Sequence, residues 1–186
     1  GAGVDDLVKI VTYITDYTRA DASIFGAARN EAFGTENPPA STLLGVQSLV
    51  RDQYRIEMDA VAVVSDSNNG DFETEFIDVN ASYTQAITTQ GSGAKRITLS
   101  GQVGNPDDDL QTQANQVYAN LRRRLEAAGA SPADLLKLTI YMNNYQPGDA
   151  SVLAIARQNN GFNPDNLPAT TLIGVQSLYS NEALIE

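Results

Sequence analysis

The spacing of apolar positions divides the first third of the chain into strands and a helix. Residues 7–17 (LVKIVTYITDY) are rich in Val, Ile, Thr and Tyr, which predicts a strand. Apolar side chains recur every fourth position in residues 20–33, which predicts a helix with one apolar face. Residues 54–64 (YRIEMDAVAVV) place alternate side chains on two faces. We therefore expect a closing strand there.

The middle of the chain predicts a hairpin followed by a helix. Residues 83–88 and 96–103 are expected to form strands, with a glycine turn at residues 91–94 between them. The helix follows Pro106: Asp107, Asp108 and Asp109 supply an N-cap and carboxylates for its first turn, and Gly129 ends it. Its apolar stripe consists of Leu110, Ala114, Val117, Leu121 and Leu125. We therefore expect this helix to lie against a sheet.

One segment of the chain occurs twice. Residues 39–49 (PASTLLGVQSL) and 168–178 (PATTLIGVQSL) are identical at nine of eleven positions, at an offset of 129 residues. The strand at 7–17 and the helix at 20–33 recur at 135–145 and 150–162. An offset of this size is too long for a solenoid repeat and suits a small domain. The repeat therefore predicts tandem copies of one domain.

The order of the segments predicts an uneven division of the chain. Residues 1–64 match the second half of one copy, residues 65–78 form an acidic connector or an extra hairpin, and residues 79–186 form a copy that lacks the end of its last strand. Two arrangements remain open. The chain is a truncated tandem protein, or the first half-copy completes the fold by permutation and donates the strand at 54–64.

The acidic connector resembles a calcium-binding loop only in composition. An EF-hand that began at Asp66 would need glycine at its sixth position and glutamate at its twelfth, where the chain has Asp71 and Ile77. We therefore predict no metal site, and the sequence indicates no cofactor.

Composition narrows the chemistry available to the protein. With 42% hydrophobic and 19% charged residues, the chain has an ordinary globular composition. It contains no His and no Cys, which excludes an imidazole base, a thiolate nucleophile and the usual zinc ligands. Proton transfer must therefore use carboxylates, Tyr, Lys or water.

Charge and hydropathy argue against nucleic acids and membranes as binding partners. The net charge of −11 would repel a phosphate backbone, and the arginine cluster at 122–124 falls late in a predicted helix, where cations complement the helix dipole. Nucleic-acid binding is therefore disfavoured. No apolar run approaches the ~18 to 20 residues that span a bilayer, and no signal-peptide pattern begins the sequence. We expect a soluble, cytoplasmic protein that does not bind membranes.

Six segments together resemble the RidA family, which is also called YjgF or the reactive-intermediate deaminases. They are SYTQAI (82–87), ITLSGQV (97–103), LEAAGAS (125–131), LLKLTIYM (135–142), the repeated PA(S/T)T segment and IEMDAVAV (56–63). The resemblance implies an α+β fold in which a mixed β-sheet carries two helices on one face. It also implies a homo-oligomer in which three units form a trimer-like ring, with clefts between units that bind small molecules.

The resemblance also implies candidate site residues. Deaminating members hydrolyse imines and enamines: an arginine binds the substrate carboxylate, a glutamate positions water, and a tyrosine and an SGQ serine line the cleft. Tyr83 matches the tyrosine, and Ser100, Gly101 and Gln102 match the SGQ motif. The glutamate corresponds to Glu57 in the first copy and to Glu186 in the second. At the position of the arginine, the copies have Ser41 and Thr170.

The missing arginine leaves two functional hypotheses. A hydroxyl cannot replace the charge and the two-pronged hydrogen bonding of a guanidinium, which favours a changed substrate or lost activity over 2-imino-acid deamination. The first hypothesis is a hydrolase of a reactive imine, enamine or related small nitrogen compound, in which Glu57 or Glu186 activates water. Ser41 or Thr170, with Ser100, would bind the ligand. The second is a catalytically inactive ligand-binding or oligomeric scaffold protein, since strand alternation alone also explains a polar Glu57.

Overall fold

The computed structural model describes residues 2–64, 72–91 and 93–186, and these residues contain three α-helices and three sheets. The elements are β1 (Leu7–Thr15), α1 (Asp21–Phe33), β2 (Ala40–Val46), β3 (Ile56–Ala62), β4 (Glu73–Val79), β5 (Thr84–Gly91), β6 (Ala94–Leu99), α2 (Leu110–Ala127), β7 (Lys137–Asn143), α3 (Ala150–Asn159), β8 (Ala169–Val175) and β9 (Ser177–Leu178). The prediction of an α+β fold is confirmed.

Both copies of the repeated sequence form a strand–helix–strand unit. β1 pairs with β2 in parallel, and α1 makes the crossover that a parallel pair requires. β7 and β8 pair in the same way around α3. The registers agree, since Lys9 lies opposite Ala40 and Lys137 lies opposite Ala169. The sequence repeat is therefore also a repeat of strand pairing.

The strands form separate sheets where the resemblance implied one mixed sheet per unit. Their orders are β3-β1-β2-β9, β4-β5-β6 and β7-β8. The first two sheets meet at β2, where the Thr84 N–H donates to the Pro39 carbonyl over 3.4 Å and the Gly101 N–H donates to Ser41 over 3.0 Å. Pro38 and Pro39 have no N–H to extend this pairing. The sheets therefore touch at a few bonds without forming one ladder.

The largest apolar cluster joins α2, α3 and β7. Tyr118 of α2 contacts Phe162 edge to face, with ring centroids 5.1 Å apart. The buried members are Ala114, Val117, Tyr118, Leu121, Ile140, Met142, Leu153, Ala156, Phe162 and Ile185. Asp109 caps the helix, since its Oδ1 accepts from the Thr112 N–H over 2.8 Å, and Gly129 follows the helix end with φ +75°. The predicted helix, its N-cap and its glycine end are confirmed, whereas the first turn contains no carboxylate, because Asp107 and Asp108 precede the N-cap.

Two arginines of the cluster at the end of α2 pair with carboxylates. Arg122 lies 3.3 Å from Glu126, and Arg124 bonds to Asp78, next to the end of β4. Arg124 therefore ties the helix to the three-stranded sheet.

The predicted connector at 65–78 ends in regular structure. Its last part belongs to β4, which pairs with β5 so that Phe76 lies opposite Ile87. Residues 65–71, which include Asp66 at the start of the calcium-loop comparison, lie outside the described residues, as does Ser92 in the predicted glycine turn. The division of the chain at residues 64 and 79 stays a prediction. Within the described parts of the chain, no helix is long and apolar enough to cross a membrane.

Candidate functional site

Two neighbouring cavities lie where the first sheet meets β6 and β7. The tyrosine cleft, of about 270 Å³, is lined by residues that include Phe25, Arg29, Ser41, Tyr83, Tyr179 and Glu186. The leucine cavity, of about 260 Å³, is lined by residues that include Leu99, Ser100, Gln102, Leu121 and Ile140. Thr42, Gly101 and Glu186 line both. These three residues therefore form the wall between the cavities.

The tyrosine cleft brings together four of the predicted site residues. Ser41 lies on β2, Tyr83 directly precedes β5, and Gly101 follows β6. Glu186 is held beside β7, since its N–H and carbonyl exchange bonds of 2.9 and 2.8 Å with Tyr141. The cleft therefore combines the first copy, the hairpin and the second copy of the repeat.

Ser100 and Gln102 are occupied in holding the turn after β6. The Ser100 hydroxyl donates to the Thr84 carbonyl over 2.6 Å and accepts from the Ser41 N–H over 2.8 Å. The Gln102 amide donates to Gln85 over 3.0 Å and to the Ser100 carbonyl over 3.1 Å. Both side chains are buried. They fix the backbone that presents Gly101, and their role in ligand binding stays a prediction.

Glu57 and Thr170 line neither cavity. Glu57 lies opposite Tyr13 on an exposed part of β3, and the Thr170 hydroxyl donates to the Pro168 carbonyl over 2.9 Å at the exposed start of β8. β2 is an inner strand between β1 and β9, whereas β8 is an edge strand. Equivalent positions of the repeat therefore lie in different surroundings, and no local pattern indicates which of them faces the cleft.

A lysine that the sequence analysis did not select lies beside Glu186. The Lys9 ammonium donates to the Thr42 hydroxyl and to the Leu99 carbonyl, each over 3.0 Å. The Thr42 side chain also hydrogen-bonds to the Glu186 carboxylate. Lys9 is the single charged residue of β1, and this was the available signal, because buried ammonium groups are rare without partners. We call these residues the Lys9–Thr42–Glu186 network.

Burial shifts the proton affinity of both ends of this network. It raises the pKa of Glu186 from 4.5 to about 7, while the Lys9 charge and the Thr42 hydrogen bond oppose the rise. Burial lowers the pKa of Lys9 from 10.5 to about 8, opposed by the charge of Glu186. Near neutral pH, the cleft therefore contains a carboxyl group that can both give and take a proton.

Gly101 makes room for the Glu186 carboxylate. A Cβ at residue 101 would overlap that carboxylate and lie 2.9 Å from the Thr42 hydroxyl oxygen. Gly101→Ala is therefore expected to displace Glu186 and to lower the free energy of unfolding by about 1–3 kcal/mol, measured by urea denaturation. Gly148→Ala is the matched control, because a Cβ there meets nothing within 4 Å. Equal stability of the two variants would contradict the predicted overlap.

The family model described as Endoribonuclease L-PSP matches residues 74–186, which is more than half of the chain. The chain belongs to the RidA (YjgF) family. The resemblance stated from the sequence is thereby confirmed. The match begins within β4.

Solved structures add to the assignment of the fold. A Pseudomonas aeruginosa protein of unknown function is 24% identical, with a TM-score of 0.52 over 61% of this chain and 88% of that chain. A YjgF family member from Neisseria meningitidis is 21% identical, with a TM-score of 0.51 over the same shares. A Rid family protein from Yersinia pestis is 34% identical over 55% of this chain and 80% of that chain, with a TM-score of 0.42. The first two show a shared fold. No curated protein matches the chain.

Proposed function

We propose that this RidA family member binds a small molecule in the tyrosine cleft and hydrolyses a reactive imine, enamine or related small nitrogen compound there. The observation that supports this proposal most directly is the position of Glu186. Its carboxylate lies in a cleft wall, its pKa is raised to about 7, and Thr42 links it to Lys9. A catalytic acid–base group works best when its pKa lies near the working pH.

In the proposed reaction, Glu186 takes a proton from water while the water oxygen bonds to the imine carbon. Glu186 then gives that proton to the imine nitrogen, which forms a carbinolamine and returns Glu186 to its carboxylate form. Glu186 next takes the proton of the carbinolamine hydroxyl and passes it to the amino nitrogen, so that the carbon–nitrogen bond breaks, ammonia leaves and the carbonyl product forms. The Thr42 hydroxyl and the nearby Lys9 ammonium hold the carboxylate in place. General acid–base catalysis of this kind contributes about 10²- to 10⁴-fold in rate.

The sequence departs from the family pattern at the position of the carboxylate-binding arginine. Ser41 occupies the place where the family pattern has arginine, so strand β2 offers no charge to a substrate carboxylate. We therefore do not take 2-imino acids as substrates on family grounds alone.

A second candidate function is a scaffold that binds a ligand without converting it. The observation that favours it is the Ser100 hydroxyl, whose only proton is donated to a backbone carbonyl. In this alternative, the SGQ motif serves the architecture of the turn. RNA cleavage, which the name of the family model suggests, is not proposed because a net charge of −11 opposes binding to phosphates.

The decisive experiment is a hydrolysis assay. The protein is mixed with freshly generated 2-aminoacrylate, 2-iminobutyrate or an uncharged imine of similar size, and ammonia and the carbonyl product are measured. We expect at least one compound to be hydrolysed above the uncatalysed rate. Uncatalysed rates with all three would favour the scaffold.

We also propose that the protein forms a cytoplasmic homo-oligomer with a trimer-like ring of units. The family fold and the exposed edge strand β8 support this assembly. Light scattering measures the mass in solution, and a strict monomer would exclude a ring made from several chains.

A further inference from the structure

The tyrosine cleft contains a buried cation that lies outside the Lys9–Thr42–Glu186 network. Arg29 of α1 is 8% exposed and lines the cleft with Ser41, Tyr83 and Tyr179. An arginine keeps its charge under all ordinary conditions, and a buried charge is normally paired with an opposite charge.

Arg29 has no such partner among the described residues. The ion pairs found there involve Arg122 and Arg124, and the Nε of Arg29 is buried without a hydrogen-bond partner. Its guanidinium lies 5.4 Å from the centre of the Phe25 ring, and its Nη2 lies 3.3 Å from the neutral amide of Asn30. These contacts leave the positive charge of the guanidinium unbalanced within the cleft.

We propose that Arg29 binds the carboxylate of a small monoanionic ligand in the tyrosine cleft. A guanidinium offers paired N–H groups that match the two oxygens of a carboxylate. A ligand with two negative charges is disfavoured because Arg29 is the single arginine of the cleft lining and Glu186 lies in the same wall.

This role moves carboxylate recognition from strand β2, where the chain has Ser41, to helix α1. For the hydrolysis proposed above, it makes the substrate an imine, enamine or related nitrogen compound that carries one carboxylate. This statement about the substrate rests on the proposed function. Carboxylate binding itself does not depend on hydrolysis.

The repeat supplies a matched control for this site. Ala28 and Arg29 of α1 recur as Ala156 and Arg157 of α3. Arg157 lines neither of the two cavities. A change at Arg157 therefore removes an equivalent helix charge and leaves the cleft intact.

The test compares butanoate with its uncharged isostere butanamide by isothermal titration calorimetry. We expect the unmodified protein to bind butanoate about tenfold or more tightly than butanamide. Arg29→Gln is expected to lower butanoate binding to the level of butanamide, and Arg157→Gln to change neither. Circular dichroism establishes that each variant is folded.

Equal affinity for both compounds, binding of neither, or unchanged butanoate binding by folded Arg29→Gln would each overturn the proposal. If Arg29→Gln does not fold, Arg29→Lys serves as the test variant, because lysine keeps the positive charge and lacks the paired N–H groups of the guanidinium. Arg29→Lys should weaken butanoate binding several-fold and leave butanamide binding unchanged. If Arg29→Lys binds butanoate as tightly as the unmodified protein does, the proposed role of the paired guanidinium N–H groups is overturned. Because the titration needs no turnover, absence of hydrolysis does not affect the proposal that Arg29 binds carboxylates. Hydrolysis without preference for compounds that carry a carboxylate would overturn the role of Arg29 and leave the proposed hydrolysis in place.

Discussion

Glu186→Gln is expected to lower the rate of imine hydrolysis by about 10²- to 10⁴-fold. The amide keeps the size of the side chain, but it cannot take a proton from water. The change in kcat is measured with the compound that the unmodified protein hydrolyses fastest. Binding of the ligand should change little, since the variant keeps the shape of the cleft wall.

The repeat again provides the control for this prediction. Glu57 occupies the equivalent position of the first copy and lies exposed on β3. Glu57→Gln is therefore expected to leave kcat unchanged. An equal decrease of kcat in both variants, or an unchanged kcat in both, would contradict the assignment of proton transfer to Glu186.

The free energy of unfolding is expected to pass through a minimum between about pH 7 and pH 8. Between pH 4.5 and 7, folded Glu186 holds a proton that the unfolded chain has lost, so stability falls as pH rises. Between pH 8 and 10.5, unfolded Lys9 holds a proton that the folded protein has lost, so stability rises again. The change in the free energy of unfolding along each limb is on the order of 3 kcal/mol.

Urea denaturation at pH 5, 7.5 and 10 measures this profile. Glu186→Gln should flatten the limb below pH 7, and Lys9→Met should remove the limb above pH 8. Lys137→Met is the control, because Lys137 is the exposed equivalent of Lys9 in the second copy and bonds to Thr171 over 2.6 Å. A maximum of stability at pH 7.5 in the unmodified protein would contradict the shifts in both pKa values.

Elements with strong local patterns could be predicted from the sequence. The stripe from Leu110 to Leu125 with Asp109 before it and Gly129 after it defined α2, because periodicity and caps are local properties. The strand expected to run to Val103 ends at Leu99, because Ser100 and Gln102 bond to neighbouring segments. Tertiary contacts of that kind leave no trace in local spacing.

The residue types of the candidate site could be predicted from the sequence. Which copy of the repeat supplies each residue could not. Family motifs pointed to Ser41, Tyr83 and Glu186, and the structure places these three in one cleft. Nothing in the sequence separated Glu186 from Glu57, since burial differs only after the sheets have assembled. Lys9 was missed although it is the single charged residue of β1. Arg29 was missed because it is an ordinary helix residue until its surroundings are known.

The wall between the cavities has a consequence for how the protein matures. Lys9 and Glu186 lie far apart along the chain, yet both hydrogen-bond to Thr42. Closing so long a loop costs entropy and is slow compared with forming a helix. A nascent chain can therefore form α1 and its flanking strands on the ribosome, whereas the cleft is complete only after residue 186 has been synthesised.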